Sequence, residues 1–181
     1  MNAIDADGVH DAMETTVTGD AAAQPLAFEG FFERERVRLL RALYLLTGNR
    51  HEAEEVLQEA FVAVWERWER VGAMADPTGY LYRTALNRYR SRLRRTARVA
   101  RRAVGLADGR DGFAEAEDRV ALAAALAKLS PRRREAIVLT ELLGYSSADA
   151  GRVMGVADAT VRRLAQDARE ELRNELEDGH A

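Results

Sequence analysis

The segment Arg83–Arg102 holds nine arginines (83, 88, 90, 92, 94, 95, 98, 101 and 102) and no aspartate or glutamate. Its apolar residues keep helical order. Tyr82, Leu86, Tyr89 and Leu93 stand at i, i+4, i+7 and i+11, one continuous stripe. Arg83, Asn87, Arg90 and Arg94 fall to one side of it, Arg88 and Arg95 to the other. A helix patterned this way must bury the stripe and turn its arginines elsewhere. Solvated charged faces ordinarily interleave acids with bases at i±4, and this one has none. The pattern predicts a helix that packs on one face and meets a polyanion, a nucleic acid, on the others. Tyr82 and Tyr89 lie on the stripe and are expected in the core rather than as stacking platforms. Tyr80, outside the stripe at the helix start, is open to either role.

Helical spacing extends nearly everywhere, and only three prolines interrupt it. A first helix is expected from about Pro25 to Thr47, packing Phe28, Phe32, Leu39, Leu43 and Leu46, with Gly48 and Asn49 as its stop. A second spans about Glu52–Trp68, with Ala53, Leu57, Ala60, Val64 and Trp68 on one side and Phe61 and Trp65 adjoining. A break at Val71–Asp76 precedes Pro77, a favoured first-turn residue, and the arginine helix runs from there to about Arg102. Gly105, Gly109 and Gly112 then mark a flexible linker. Beyond it come helices at Ala114–Leu129, Pro131–Leu143 (with Ser130 as N-cap), Ser147–Met154 (capped by Ser146) and about Asp158–Glu177. The fold class is all-α, divided as two small helical domains, 26–102 and 113–178, joined by a linker at 103–112.

Residues 1–25 form a separate segment with Asp5, Asp7, Asp11, Glu14 and Asp20 and no base. The net charge of −3 thus hides a basic body behind an acidic arm, expected to be disordered. The arm lacks the basic start and apolar core of a signal peptide. No run is long enough to span a membrane, so no membrane insertion is expected. The chain has no cysteine, and its three histidines are scattered. With no metal cluster, phosphate loop or nucleophile constellation, neither cofactor nor enzymatic activity is expected.

Tyr145–Leu172 has the shape of a helix-turn-helix. A short helix precedes the turn at Gly155–Val156, and a second carries Val161, Ala165, Ala168 and Leu172 inward. Opposite project Ala159, Arg162, Arg163, Gln166, Asp167 and Glu170, the set that would enter a major groove. In the second helix of the chain, Glu54, Glu55, Gln58 and Glu59 form an acidic patch beside Leu57, Phe61 and Trp65. That patch reads equally as a solvated face or as a docking face for a basic partner.

These residues also match a family. Ala53–Phe61 (AEEVLQEAF) resembles the "AEDLVQExF" signature of extracytoplasmic-function sigma factors, the small bacterial initiation factors. Gly79–Asn87 with Arg92–Arg95 is similar to their "WLyriArN…d.lRr" helix, Leu129–Glu135 to "LPxrqRE", and Gly155-Val156 with Thr160-Val161 to "lGvsxgTVksrl". The resemblance covers nearly all of 26–176, with the segments in the family's order. It implies two domains, sigma regions 2 and 4, and a bacterial transcription initiation factor that binds core RNA polymerase and directs promoter recognition and melting. It implies that Glu55, Gln58 and Glu59 dock on the β′ coiled coil. The minus-ten element is then held and melted by Tyr80, Arg83, Asn87, Arg88, Arg90, Arg94 and Arg95. Region 4 packs on the β flap and reads the minus-thirty-five element through Arg132, Ala159, Thr160, Arg162, Arg163, Gln166 and Asp167. An anti-sigma factor is an implied partner, and a cytoplasmic, nucleoid-associated location follows. One departure stands out. Where the family's recognition helix continues "KSRLHRAR", Leu164, Gln166 and Asp167 replace Arg, His and Arg, and Ala157 stands where a capping Ser is common. An autonomous helix-turn-helix regulator and a sigma-like decoy for an anti-sigma factor are the rival readings.

Overall fold

The computed structural model describes residues 27–102 and 117–178. Every regular element among them is helical: α1 (Phe28–Thr47), α2 (Arg50–Trp65), α3 (Trp68–Val71), α4 (Pro77–Arg102), α5 (Glu117–Lys128), α6 (Pro131–Ile137), a π-helical turn (Val138–Leu142), α7 (Ser147–Met154) and α8 (Asp158–Asp178). The acidic arm 1–25 and the linker 103–112 lie outside the described residues.

Local chemistry places the helix ends. Gly48 adopts φ 69°, a left-handed conformation that costs glycine nothing, and its N–H closes α1 onto the Tyr44 carbonyl at 2.8 Å. Asn49, expected only as part of that stop, also begins the next helix: its side-chain oxygen accepts from the Glu52 N–H at 2.9 Å. Ser146 accepts from the Asp149 N–H at 3.1 Å, as its position implies. Ser130 makes no side-chain cap. At α4 the cap is Asp76, whose Oδ1 accepts from the Gly79 N–H at 2.7 Å, with Pro77 in the first turn.

The first half packs α1, α2 and α4 around Phe31, Leu39, Leu43, Val56, Leu81 and Tyr89, all at or below 2 % exposure. Each such side chain contributes about 1.5–3 kcal/mol of burial. In α1 the fully buried ring is Phe31, while the expected Phe28 and Phe32 are half-buried beside it. Rings from three helices cluster there, Phe31 with Trp68 at 4.9 Å and Phe32 with Phe61 at 4.8 Å. The α4 stripe is buried as its spacing requires, at Tyr82, Leu86 and Tyr89, and the Tyr89 hydroxyl donates to the Leu46 carbonyl at 2.9 Å. The second helix departs from expectation. It ends at Trp65, Val56 is buried where Leu57 was expected, and Trp65 is 61 % exposed. The break at Val71–Asp76 is no free loop, since α3 occupies its approach and Val71 is fully buried.

In the second half, α6 packs on α8 and α7 on α8, with Val161, Ala165 and Ala168 inward as predicted. The helix expected to run unbroken to Leu143 widens into the π turn, where the Leu143 N–H reaches back to Val138 at 3.1 Å. The two halves are not held apart. Arg90 forks onto Glu135 at 2.8 and 2.6 Å, Arg134 donates to the Leu46 carbonyl at 2.6 Å, Arg38 donates to the Leu143 carbonyl, and the Tyr82 and Tyr145 rings lie 5.8 Å apart.

Candidate polymerase and nucleic-acid interfaces

The acidic face of α2 is held by one residue from α4. Arg92 forks onto both Glu55 and Glu59 while its own side chain stays 17 % exposed. His51 lies 3.6 Å from Glu55 on the other side. The hydrogen bonds and charge of Arg92 lower the Glu55 carboxyl below its usual range and, through Glu59 first, raise the Arg92 guanidinium. Glu52, more enclosed, is raised by desolvation. Gln58 stands exposed between the two held glutamates, and exposed Val62 and Trp65 continue the surface toward the helix end. No spacing rule in α2 alone points to Arg92; the clue was an arginine in α4 on the same side as Arg88 and Arg95.

Arg83, Asn87, Arg88, Arg94 and Arg95 are exposed on α4, and none of these arginines forms a salt bridge with a described carboxylate. Exposed Arg98 continues the series. Tyr80 is half-buried, and its carbonyl accepts from Thr84 Oγ1 at 2.8 Å. Arg90 differs from its neighbours. It was expected on the nucleic-acid face, yet its side chain is 15 % exposed and its guanidinium is spent on Glu135, itself 1 % exposed. A bidentate fork onto a buried carboxylate leaves few donors for phosphate.

In the helix-turn-helix, Gly155 (φ 71°) turns the chain between α7 and α8. Ala159 and Arg163 are exposed, Thr160 is half-buried, Arg162 pairs with Asp158 at 2.8 Å, and Gln166 donates to Glu170 at 3.1 Å. Asp158 Oδ1 also accepts the Ala159 N–H at 2.7 Å, so the carboxylate occupies the start of α8 where Ala157 has no hydroxyl to offer. Those bonds, Arg162 first, hold Asp158 below the usual carboxylate range. Asp167 does not point into the open. It is half-buried and lies 3.2 Å from Arg133 on α6, which also takes Glu171 at 2.9 Å. The face offered to a groove therefore narrows to Ala159, Arg162, Arg163 and Gln166. Arg132 is half-exposed, with Nη1 at 3.3 Å from the Met154 carbonyl and 3.4 Å from Glu135. Glu135 and Arg133 were missed as site residues because their partners lie 34 or more positions away. Among the described residues there is no acidic or histidine cluster able to hold a metal, and no helix is long and apolar enough to cross a membrane.

Comparison with known proteins follows the same division. The sigma-70 region 2 model matches residues 31–99 and the sigma-70 region 4 model residues 119–172. The chain is 30 % identical to the ECF RNA polymerase sigma factor SigE of Mycolicibacterium smegmatis over 95 % of this chain and 72 % of that one. It is 32 % identical to SigL of Mycobacterium tuberculosis over 90 % and 96 %. Its fold resembles CnrH, solved in complex with the cytosolic domain of CnrY (TM-score 0.61, 28 % identity, 83 % of this chain and 87 % of that one). It also resembles the sigma factor RpoE, solved with the anti-sigma factor NepR from Bartonella quintana (TM-score 0.73, 24 % identity, 82 % and 98 %), a likeness of fold alone. The signatures at 53–61, 79–95, 129–135 and 155–161, the two region matches and these relatives agree: the chain belongs to the extracytoplasmic-function sigma factors of RNA polymerase.

Proposed function

We propose that this chain binds core RNA polymerase and directs promoter recognition and melting, with a separate surface for each task and no catalytic chemistry of its own. In this reading Gln58, with the Arg92-held pair Glu55 and Glu59, docks on the β′ coiled coil. The free arginines of α4, with Asn87 and Tyr80, hold the minus-ten region. Ala159, Arg162, Arg163 and Gln166 read the minus-thirty-five element while region 4 sits on the β flap. An anti-sigma factor is the regulatory partner, as NepR is for the RpoE of its complex. The site of action is the bacterial cytoplasm, at the nucleoid. Residues 26–102 and 113–178 are the working domains.

The observation that carries this reading is the exposed row Arg83, Arg88, Arg94 and Arg95. Desolvation does not force arginines to stay unpaired; a row without acidic partners fits a polyanion that supplies the countercharge. Run-off transcription with purified core polymerase tests it. The wild-type chain is expected to give promoter-specific transcripts, and Arg88→Ala with Arg95→Ala is expected to reduce permanganate reactivity of the melted bases without weakening core binding. Each lost phosphate contact removes about 0.9 from the log–log salt slope. Transcripts absent with core, yet tight sequence-specific binding by the free chain, would assign an autonomous regulator instead. Core binding without any transcript would assign the decoy.

A further inference from the structure

We propose that Glu135 is an internal competitor for the DNA-binding face: its fork with Arg90 closes region 4 on region 2, so that the free chain withholds Arg90 from phosphate and must open to engage a promoter. This rests on the reading that α4 holds DNA. The seam itself is geometric. Glu135 is 1 % exposed, and both its oxygens meet the Arg90 guanidinium, Oε1 with Nε at 2.8 Å and Oε2 with Nη2 at 2.6 Å. A carboxylate presenting two oxygens to one guanidinium offers the same planar, bidentate, anionic match as a phosphate. Arg132, also assigned to DNA, turns toward the same Oε2 at 3.4 Å.

Around the ion pair the seam is small and polar. Arg38 and Arg134 cross it to main-chain carbonyls of Leu143 and Leu46, and a single tyrosine pair, Tyr82 with Tyr145, packs across it. A buried ion pair adds little net stability, because desolvating both charges offsets most of their attraction. Its loss of one partner is costly, and its exchange for another well-matched partner is not. Such a contact holds two bodies in one arrangement yet yields when a polyanion and polymerase compete for its halves. Closure and DNA binding draw on the same guanidinium, so they exclude one another.

The full-length chain tests this directly. It has no cysteine, so Glu66→Cys and Asn174→Cys, exposed on α2 and α8, give the only two dye sites. Energy transfer between them reports closure without reference to DNA. Glu135→Gln is expected to lower the transfer efficiency and to tighten binding of promoter duplex. If the open form is about a tenth of the wild-type population, full release tightens apparent binding about tenfold. Arg38→Ala, which loosens the seam from its exposed edge and leaves Glu135 in place, should shift both readouts the same way and guards against misfolding of the first variant. Unchanged transfer in both variants would overturn the closed state. Lower transfer without tighter DNA binding would overturn the competition. In that case Arg88→Ala with Arg95→Ala separates the causes: a lower salt slope keeps α4 as the DNA face, and an unaltered slope removes that assignment as well.

Discussion

The start of the arginine helix rests on one side-chain cap, and a paired substitution isolates it. Asp76 Oδ1 accepts the Gly79 N–H at 2.7 Å, and a Cβ placed on Gly79 would lie 2.0 Å from Asp76 Oδ2. Gly79→Ala therefore evicts the carboxylate from its cap. Losing an Asp cap costs about 1 kcal/mol, while replacing glycine by alanine inside a helix returns about 0.5 kcal/mol. In the wild-type chain the substitution should destabilise by about 0.5 kcal/mol. In an Asp76→Ala background the cap is already gone, and the same substitution should stabilise by about 0.5 kcal/mol. The sign reverses, and the coupling between the two sites is about 1 kcal/mol. Urea unfolding followed by circular dichroism resolves this, as a shift of about 0.5 M in midpoint at a slope near 2 kcal/mol/M. The four chains must share one slope for the comparison to hold. Equal effects of Gly79→Ala in both backgrounds would refute the cap, and with it the account of why α4 begins where it places Tyr80 and Arg83.

Gln58→Ala with Glu59→Lys should lower affinity for core polymerase while the helical spectrum is kept, measured by fluorescence anisotropy; unchanged affinity would remove α2 as the docking face. Tyr89→Phe should cost only about 0.5–1.5 kcal/mol of stability, because the Leu46 carbonyl it leaves still accepts from Arg134 at 2.6 Å. Burial raises the Tyr89 and Tyr145 hydroxyls to about 12 and raises Tyr82 further, so folding favours their neutral forms. Their contribution is intact below pH about 10 and lost as pH climbs toward about 12, where phenolate absorbance should grow together with loss of helix. Asp167→Arg, which sets a second guanidinium beside Arg133, should destabilise region 4 by about 0.2–1 kcal/mol and leave base preference unaltered. A changed preference at one base pair, seen by footprinting, would put Asp167 back in the groove.

What the sequence made legible follows from range. The α4 stripe, the Gly48 and Gly155 turns, the Ser146 cap and the inward set Val161, Ala165 and Ala168 are decided within a few residues, and periodicity or turn chemistry reads them directly. The failures are all long-range choices. Leu57 and Val56 are both good core residues, and which one turns inward depends on how α1 and α4 straddle α2. Trp65 satisfies the helical pattern and still remains exposed, since nothing among the described residues packs over it. Arg90 and Asp167 have the right composition for DNA faces, but Glu135 and Arg133 meet them from 45 and 34 positions away. No local pattern records such a partner.

The register of α4 explains why its arginines divide as they do. On one flank of the buried stripe, Arg88, Arg92 and Arg95 follow each other at i, i+4 and i+7; on the other, Arg83, Arg90 and Arg94 fall at i, i+7 and i+11. Each flank has a central arginine gripped by protein carboxylates, Arg92 by Glu55 and Glu59 and Arg90 by Glu135. Each also has outer arginines left exposed. The central residues are where neighbouring helices approach closely enough to bury a guanidinium, and a buried guanidinium requires a carboxylate. The outer ones lie past those helices, and only an added anion can pair them. A single helix thus braces the docking face of α2 on one side, holds region 4 on the other, and keeps a cationic row for DNA along both edges. Salt acts unequally on these parts: it screens the exposed row strongly and the two enclosed pairs weakly. Raising ionic strength should then weaken promoter binding well before it loosens either of the contacts that Arg90 and Arg92 make within the chain.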